Sequence, residues 1–146
     1  MYSGRALWKT VARVLAVLSV AITLWSLNVA WGDDPALRGG PPRQWERHLV
    51  GAALLAGLSA VLVLFGSRPG AALVLRSINV AISLGPGVIA LVLRSEAAEK
   101  NLPQLLEGPG WTWLAVGSGL AVLAAASTFL SQKSPERKRA RGRSGR

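Results

Sequence analysis

Ala71-Ala72-Leu73-Val74-Leu75-Arg76-Ser77-Ile78-Asn79-Val80-Ala81-Ile82-Ser83-Leu84-Gly85-Pro86-Gly87-Val88-Ile89-Ala90-Leu91-Val92-Leu93 is the stretch on which the reading of this chain turns. It exceeds the roughly 20 mostly apolar residues that a helix needs to cross a bilayer. Yet it carries an arginine, an asparagine and a serine, and its regularity is interrupted at Gly85-Pro86-Gly87. At ~100° per residue, Arg76, Asn79, Ser83, Pro86 and Gly87 fall on one face about 100° wide. Polar groups in hydrocarbon are costly unless they turn inward or reach water. That face therefore requires cover from other helices.

The rest of the chain supplies three more apolar runs. The spans are expected at about residues 6–31, 49–66, 71–93 and 111–131. Ser67-Arg68-Pro69-Gly70 is short enough that the third span must return beside the second. The fold class that follows is an all-α membrane protein, an antiparallel four-helix transmembrane bundle over residues 1–131. Residues 132–146 form a disordered basic C-terminal tail in this reading. The first run has a rival reading as a signal peptide. It is long for an h-region, and Asn28 is a poor residue three back from a cleavage site, so it is read as a retained helix. A faint echo of Val20-Ala21-Ile22-Thr23-Leu24 in Val80-Ala81-Ile82-Ser83-Leu84 suggests two related hairpins.

Composition excludes several chemistries. Of 146 residues, 51% are hydrophobic, and the net charge is +10. There is no cysteine, so disulfides, thiolate metal sites and cysteine nucleophiles are absent. His48 is the single histidine, which rules out bis-histidine haem ligation and argues against a histidine-built metal site. Asp33, Asp34, Glu46 and His48 match no metal-ligand spacing and read as solvated loop. No nucleophile–base pair or paired carboxylates lie in or near the spans, so no enzymatic activity and no cofactor are expected. The excess of arginine over lysine, with abundant Ala, Gly, Leu and Val, points to a GC-rich bacterial genome.

Orientation follows from charge. With four spans both termini share one side, which receives Arg5, Lys9, Arg68 and seven basic residues of the tail. The other side receives Arg38, Arg43, Arg47, Arg94 and Lys100, diluted by Asp33, Asp34, Glu46, Glu96, Glu99 and Glu107. The positive-inside rule then puts the termini in the cytosol and the protein in the cytoplasmic membrane. Trp31, Trp45, Trp111 and Trp113 fall at the outer interface and Trp8 at the inner, where tryptophan is favoured. The loop 32–47 reads as turn-rich, and Ser95 is expected to N-cap a separate short helix before Glu107-Gly108-Pro109-Gly110 turns the chain back.

Helix association in lipid depends on small residues and interhelical hydrogen bonds. Ser19, Thr23, Ser26 and Ala30 align on the first span, Ala52, Ala56 and Ser59 on the second. Gly117, Ala121, Ala124 and Thr128 align on the fourth within about 60°.

Two candidate interaction features result. The intramembrane polar face comprises Arg76, Asn79, Ser83 and Pro86. Arg76 lies roughly 8 Å deep at 1.5 Å per residue. Either it snorkels to headgroup phosphates, or it faces the bundle and attracts an anion or a partner's carboxylate. Asn79 and Ser83 read first as interhelical glue, and Pro86 as a kink or local unwinding. The second feature is the tail: Lys133, Arg137, Lys138, Arg139, Arg141, Arg143 and Arg146 against the single acid Glu136. Such a segment is attracted to an anionic leaflet by about 1 kcal/mol per basic residue. No aromatic residue interleaves it for base stacking, which argues against nucleic acid. The expected partners are anionic lipid headgroups and a protein partner or a second copy of the chain. The functional expectation is a non-enzymatic accessory subunit or membrane scaffold. The alternative is an oligomeric small channel or exporter, including a holin-like one, that uses the polar face of the third helix.

Overall fold

Long apolar runs without internal breakers fold as helix, because hydrocarbon leaves the backbone no other partners than its own. The computed structural model describes residues 4–32, 34–65, 72–102 and 107–130. Four helices account for most of them: α1 (Gly4–Ser26), α2 (Arg43–Phe65), α3 (Ala72–Glu99) and α4 (Pro109–Leu130). No strand occurs among the described residues. All four are long and apolar enough to span a membrane. The chain is a small helical protein built for a bilayer.

The helices form a four-cornered bundle. α1 packs most extensively on α4, and α2 on α3; α3 also meets α4, α1 meets α2, and α2 touches α4 across the middle. α1 and α3 occupy opposite corners and do not meet. Two apolar clusters mark the two ends. At one, Ala12 and Ala16 of α1 lie with Ala60 and Val63 of α2 and Ala124 of α4. At the other, Trp31, Trp45, Leu49, Ala90, Leu93, Ala97 and Leu114 form the larger cluster.

Three helix boundaries differ from those read from hydrophobicity. α1 stops at Ser26, not near residue 31, and its last turn is tightened by Leu27 N–H bonding Leu24 O at 3.2 Å and Asn28 N–H bonding Trp25 O at 2.9 Å. α2 starts at Arg43, six residues before the apolar run, with Trp45 N–H bonding Pro42 O at 2.8 Å and Glu46 in the first turn. α3 continues to Glu99, so Ser95 lies inside it and caps no separate helix. Ser95-Glu96-Ala97-Ala98-Glu99-Lys100 contains good helix formers and no breaker, so nothing stops the helix where the charges begin. It ends at Asn101, whose φ of 52° is left-handed. Leu102 N–H bonds Ala97 O at 2.9 Å and Asn101 N–H bonds Ala98 O at 3.3 Å, which together close a Schellman cap.

The loop 32–47 is less irregular than its composition suggests. Pro35–Leu37 is a 3-10 turn, with Asp34 Oδ1 accepting from Ala36 N–H at 2.9 Å. Of the kink or local unwinding expected at Gly85-Pro86-Gly87, the unwinding does not occur. α3 runs through it, and Pro86 is buried. The lost N–H of one proline leaves a single carbonyl to satisfy, which the remaining turns tolerate.

Candidate functional site

The polar face of α3 divides in two. Asn79 is 3% exposed and Ser83 fully buried, so neither meets lipid. Asn79 Oδ1 accepts a hydrogen bond from Ser59 Oγ of α2 at 2.7 Å, and Ser83 Oγ donates to Val80 O of its own helix at 2.7 Å. These groups are engaged in packing. Arg76, one turn before Asn79, is only half-buried, yet its Nη1 is sealed from solvent and has no hydrogen-bond partner among the described residues. The four residues of the expected polar face thus have different surroundings: three covered, one with an unmet donor.

The seam between α1 and α4 is built from small residues. Ser19 Oγ donates to Gly117 O at 3.0 Å, and Thr23 Oγ1 donates back to Ser19 O at 2.7 Å. A Cβ added at Gly117 would stand 2.5 Å from Thr23 Oγ1 and 3.1 Å from Thr23 N. Only glycine permits this approach. Ala121 and Ala124 continue the same buried face, and Thr128 is half-buried at its end.

Trp31 secures the other end of that seam. It is fully buried, and its Nε1–H donates at 2.8 Å to the carbonyl of Ser26, the last residue of α1. Helix-end carbonyls lack a partner within their own helix, so the indole acts as a cap. Trp31 N–H bonds Leu37 O at 2.9 Å, and Gly110 N–H in the first turn of α4 bonds Ala30 O at 3.0 Å. Gly108 and Gly110 make room for this. A Cβ would lie 2.4 Å from Trp31 O at the first and 2.3 Å from Trp31 Nε1 at the second. Trp45, 1% exposed, meets Trp31 edge to face with ring centroids 6.1 Å apart and an interplanar angle of 80°. Its Nε1–H lies near the Glu96 carboxylate but outside hydrogen-bonding geometry.

These tryptophans correct one expectation. Trp31 and Trp45 do not face headgroups; they fill the core of their end of the bundle. Trp113 and Trp8, each 38% exposed, and Trp25, 56% exposed, are the ones on the lipid-facing surface. Gly108-Pro109-Gly110 was legible as a turn. Its second role, as the floor beneath Trp31, had no signal except the pair of glycines two residues apart.

No group of three or more His, Asp or Glu side chains gathers among the described residues. Asp34, Glu107 and the backbone of Gly108 border a cleft of about 530 Å³ at the loop-bearing end. Another lies between Leu37, Pro41, Pro42 and Glu46. Glu96 pairs with Lys100 one turn on, a surface contact of small energetic consequence. The basic residues of the tail, Lys133, Arg137, Lys138, Arg139, Arg141, Arg143 and Arg146, lie outside the described residues.

No family model, curated protein or solved structure matches the chain.

Proposed function

We propose that this chain is a non-enzymatic accessory subunit or scaffold of the cytoplasmic membrane, an antiparallel bundle with both termini in the cytosol. One observation carries the functional part. The polar side chains buried within the spans are satisfied by the bundle itself: Ser19 and Ser59 bond across to Gly117 and Asn79 on neighbouring helices, and Thr23 and Ser83 bond carbonyls of their own helices. A path for a hydrophilic solute needs polar groups facing a lumen, whereas these are buried and already bonded within the protein. The channel or exporter reading requires Asn79, Ser83 and Pro86 to line such a path, and their burial counts against it.

The antiparallel arrangement is supported by the order of contacts along α1 and α4. Trp31 meets Gly108 and Gly110, Thr23 meets Gly117, and Ala12 and Ala16 share a cluster with Ala124. As one number rises the other falls. The cytosolic placement of the termini is supported by the charge asymmetry. The tail would then lie where anionic lipid or a partner's acidic surface can meet it.

Two measurements test this. Purification in mild detergent should give a defined assembly heavier than a homo-oligomer, with a second protein in fixed proportion; a homo-oligomer alone revives the channel reading. The chain lacks cysteine, so single introduced ones report topology cleanly. Gly40→Cys and Ser95→Cys should react with an impermeant maleimide from outside, and Ser3→Cys and Ser144→Cys should not. Outside labelling at position 144 overturns the orientation.

A further inference from the structure

The apolar outer surface of the bundle is interrupted by charge at one level. Arg13 of α1 is exposed there, on a stripe with Lys9 and Val17 at one-turn spacing. Ala12, beside it, shares a cluster with Val63 of α2. Arg76 of α3 reaches the same level. Along α2 and α3, Gly51 lies by Ile89, Leu55 by Gly85, and Ser59 bonds Asn79, so one number falls as the other rises. Continuing that count, Val63 is about 6 Å past Ser59 and Arg76 about 4.5 Å past Asn79, at 1.5 Å per residue. Since α1 and α3 stand at opposite corners, the two arginines share a depth on opposite sides of the bundle.

Apolar side chains continue past that level. Leu7 of α1, Phe65 of α2, Leu73 of α3 and Leu130 of α4 are all exposed, and all lie nearer the end where α1 begins. Leu73 is about 4.5 Å beyond Arg76 and Leu7 about 9 Å beyond Arg13 along their helices. The arginines therefore sit inside the apolar surface and not at its rim. An arginine keeps its charge in such surroundings, and a charge among acyl chains is costly unless water, headgroups or a counter-charge reach it. Among the described residues no acid serves. Asp34, Glu46, Glu96, Glu99 and Glu107 lie toward the opposite end, where Glu96 pairs with Lys100. Snorkelling meets the need only in part, because Nη1 of Arg76 is covered by protein and has no acceptor among the described residues.

We propose that this surface fits a locally thinned bilayer, with headgroups and water drawn in to the level of Arg13 and Arg76 on the side where α1 begins. The partner is the phospholipid bilayer itself, and short acyl chains suit it best. α3 gives the fitted thickness: Arg76 and Arg94 are eighteen residues apart, about 27 Å of helix, against the ~30 Å hydrocarbon core of a typical bilayer. The thinning is confined to the corners that carry the arginines. It holds whichever side the termini face, and whether or not the chain serves a larger assembly.

The test reconstitutes the full-length protein in phosphatidylcholine bilayers with dimyristoleoyl, dioleoyl or dierucoyl chains, in order of increasing length. The wild type should have its highest thermal midpoint in the shortest. Arg13→Leu changes an exposed stripe without touching the packing, and should shift the maximum to dioleoyl chains. Arg76→Leu should shift it the same way; should that variant fail to accumulate, Arg13→Leu decides. A spin label at Val17→Cys, one turn from Arg13 toward the bilayer centre, reads water directly. In dioleoyl bilayers a water-soluble nickel relaxant should reach it severalfold less in Arg13→Leu than in the parent, and Arg13→Lys should keep the parent's access. A wild type most stable in dioleoyl or dierucoyl chains, or equally stable in all three, overturns the proposal. So does nickel access at Val17→Cys that Arg13→Leu leaves unchanged.

Discussion

Along the α1–α4 seam backbone approaches backbone. Gly117 sits against Thr23 with no room for a methyl group, a Cβ there standing 3.1 Å from Thr23 N and 3.4 Å from Ser19 O. Along the α2–α3 seam the contact is made by side chains: Ser59 reaches Asn79, and Leu55 lies over Gly85 with the flexible end of its side chain. The first seam is specified by what is absent, and gains dispersion contacts that fall off steeply with separation. The second is specified by a polar pair whose alternative in hydrocarbon is an unmet hydrogen bond. A seam of the first kind tolerates no added volume. One of the second kind tolerates volume and is sensitive to polarity.

That contrast can be broken experimentally. Gly117→Leu should have the largest effect, lowering stability in mild detergent by about 3 kcal/mol, at the upper end of overpacking penalties. Ala121→Leu, on the same buried face, should follow it. Asn79→Leu should cost less, about 0.6 kcal/mol, the average of a buried interhelical hydrogen bond in a membrane protein. The Ser59 hydroxyl retains its own helix backbone as a fallback acceptor, which limits the loss. Gly119→Leu should have no effect, because nothing lies within 4 Å of the position. Thermal melting of the purified variants checks all of these. Equal losses for Gly117→Leu and Gly119→Leu would show that the seam is not where the bundle is held.

The same comparison explains what could be read in the sequence. Small residues at helical spacing gave the buried faces of α1, α2 and α4 correctly at Ser19, Thr23, Ser26, Ala52, Ala56, Ser59, Gly117, Ala121 and Ala124. A face built from small residues has few alternatives in lipid, so spacing alone identifies it. Helix ends were harder. Hydrophobicity marks where hydrocarbon stops, but Arg43–His48 and Arg94–Glu99 remain helical beyond the apolar runs. Ala30, counted on the face of α1, lies past its end. Tryptophan gave depth but not direction. Its preference for interfaces fixes depth along the membrane normal, and Trp31 and Trp45 do lie at the loop-bearing end. It does not say whether the ring points out or in; that depends on glycines 77 and 79 residues further along the chain from Trp31. Arg76 was visible as an anomaly in sequence, but the burial of its Nη1 without an acceptor among the described residues depends on how α3 packs.

The hydrogen bond from Ser19 to Gly117 joins residues 98 apart, and the seam to which it belongs unites α1 with α4. Synthesis proceeds at roughly 5–20 residues per second, so α1 waits about 5–20 s in the membrane before its principal neighbour emerges. During that interval the α4 side of Ser19, Thr23 and Ser26 is uncovered, and Thr23 and Ser26 already bond their own backbone. Those internal hydroxyl bonds make the unfinished α1 tolerable to lipid. The bundle is thus a ring that closes when α4 arrives, and a chain cut short before α4 leaves the facing side of α1 uncovered.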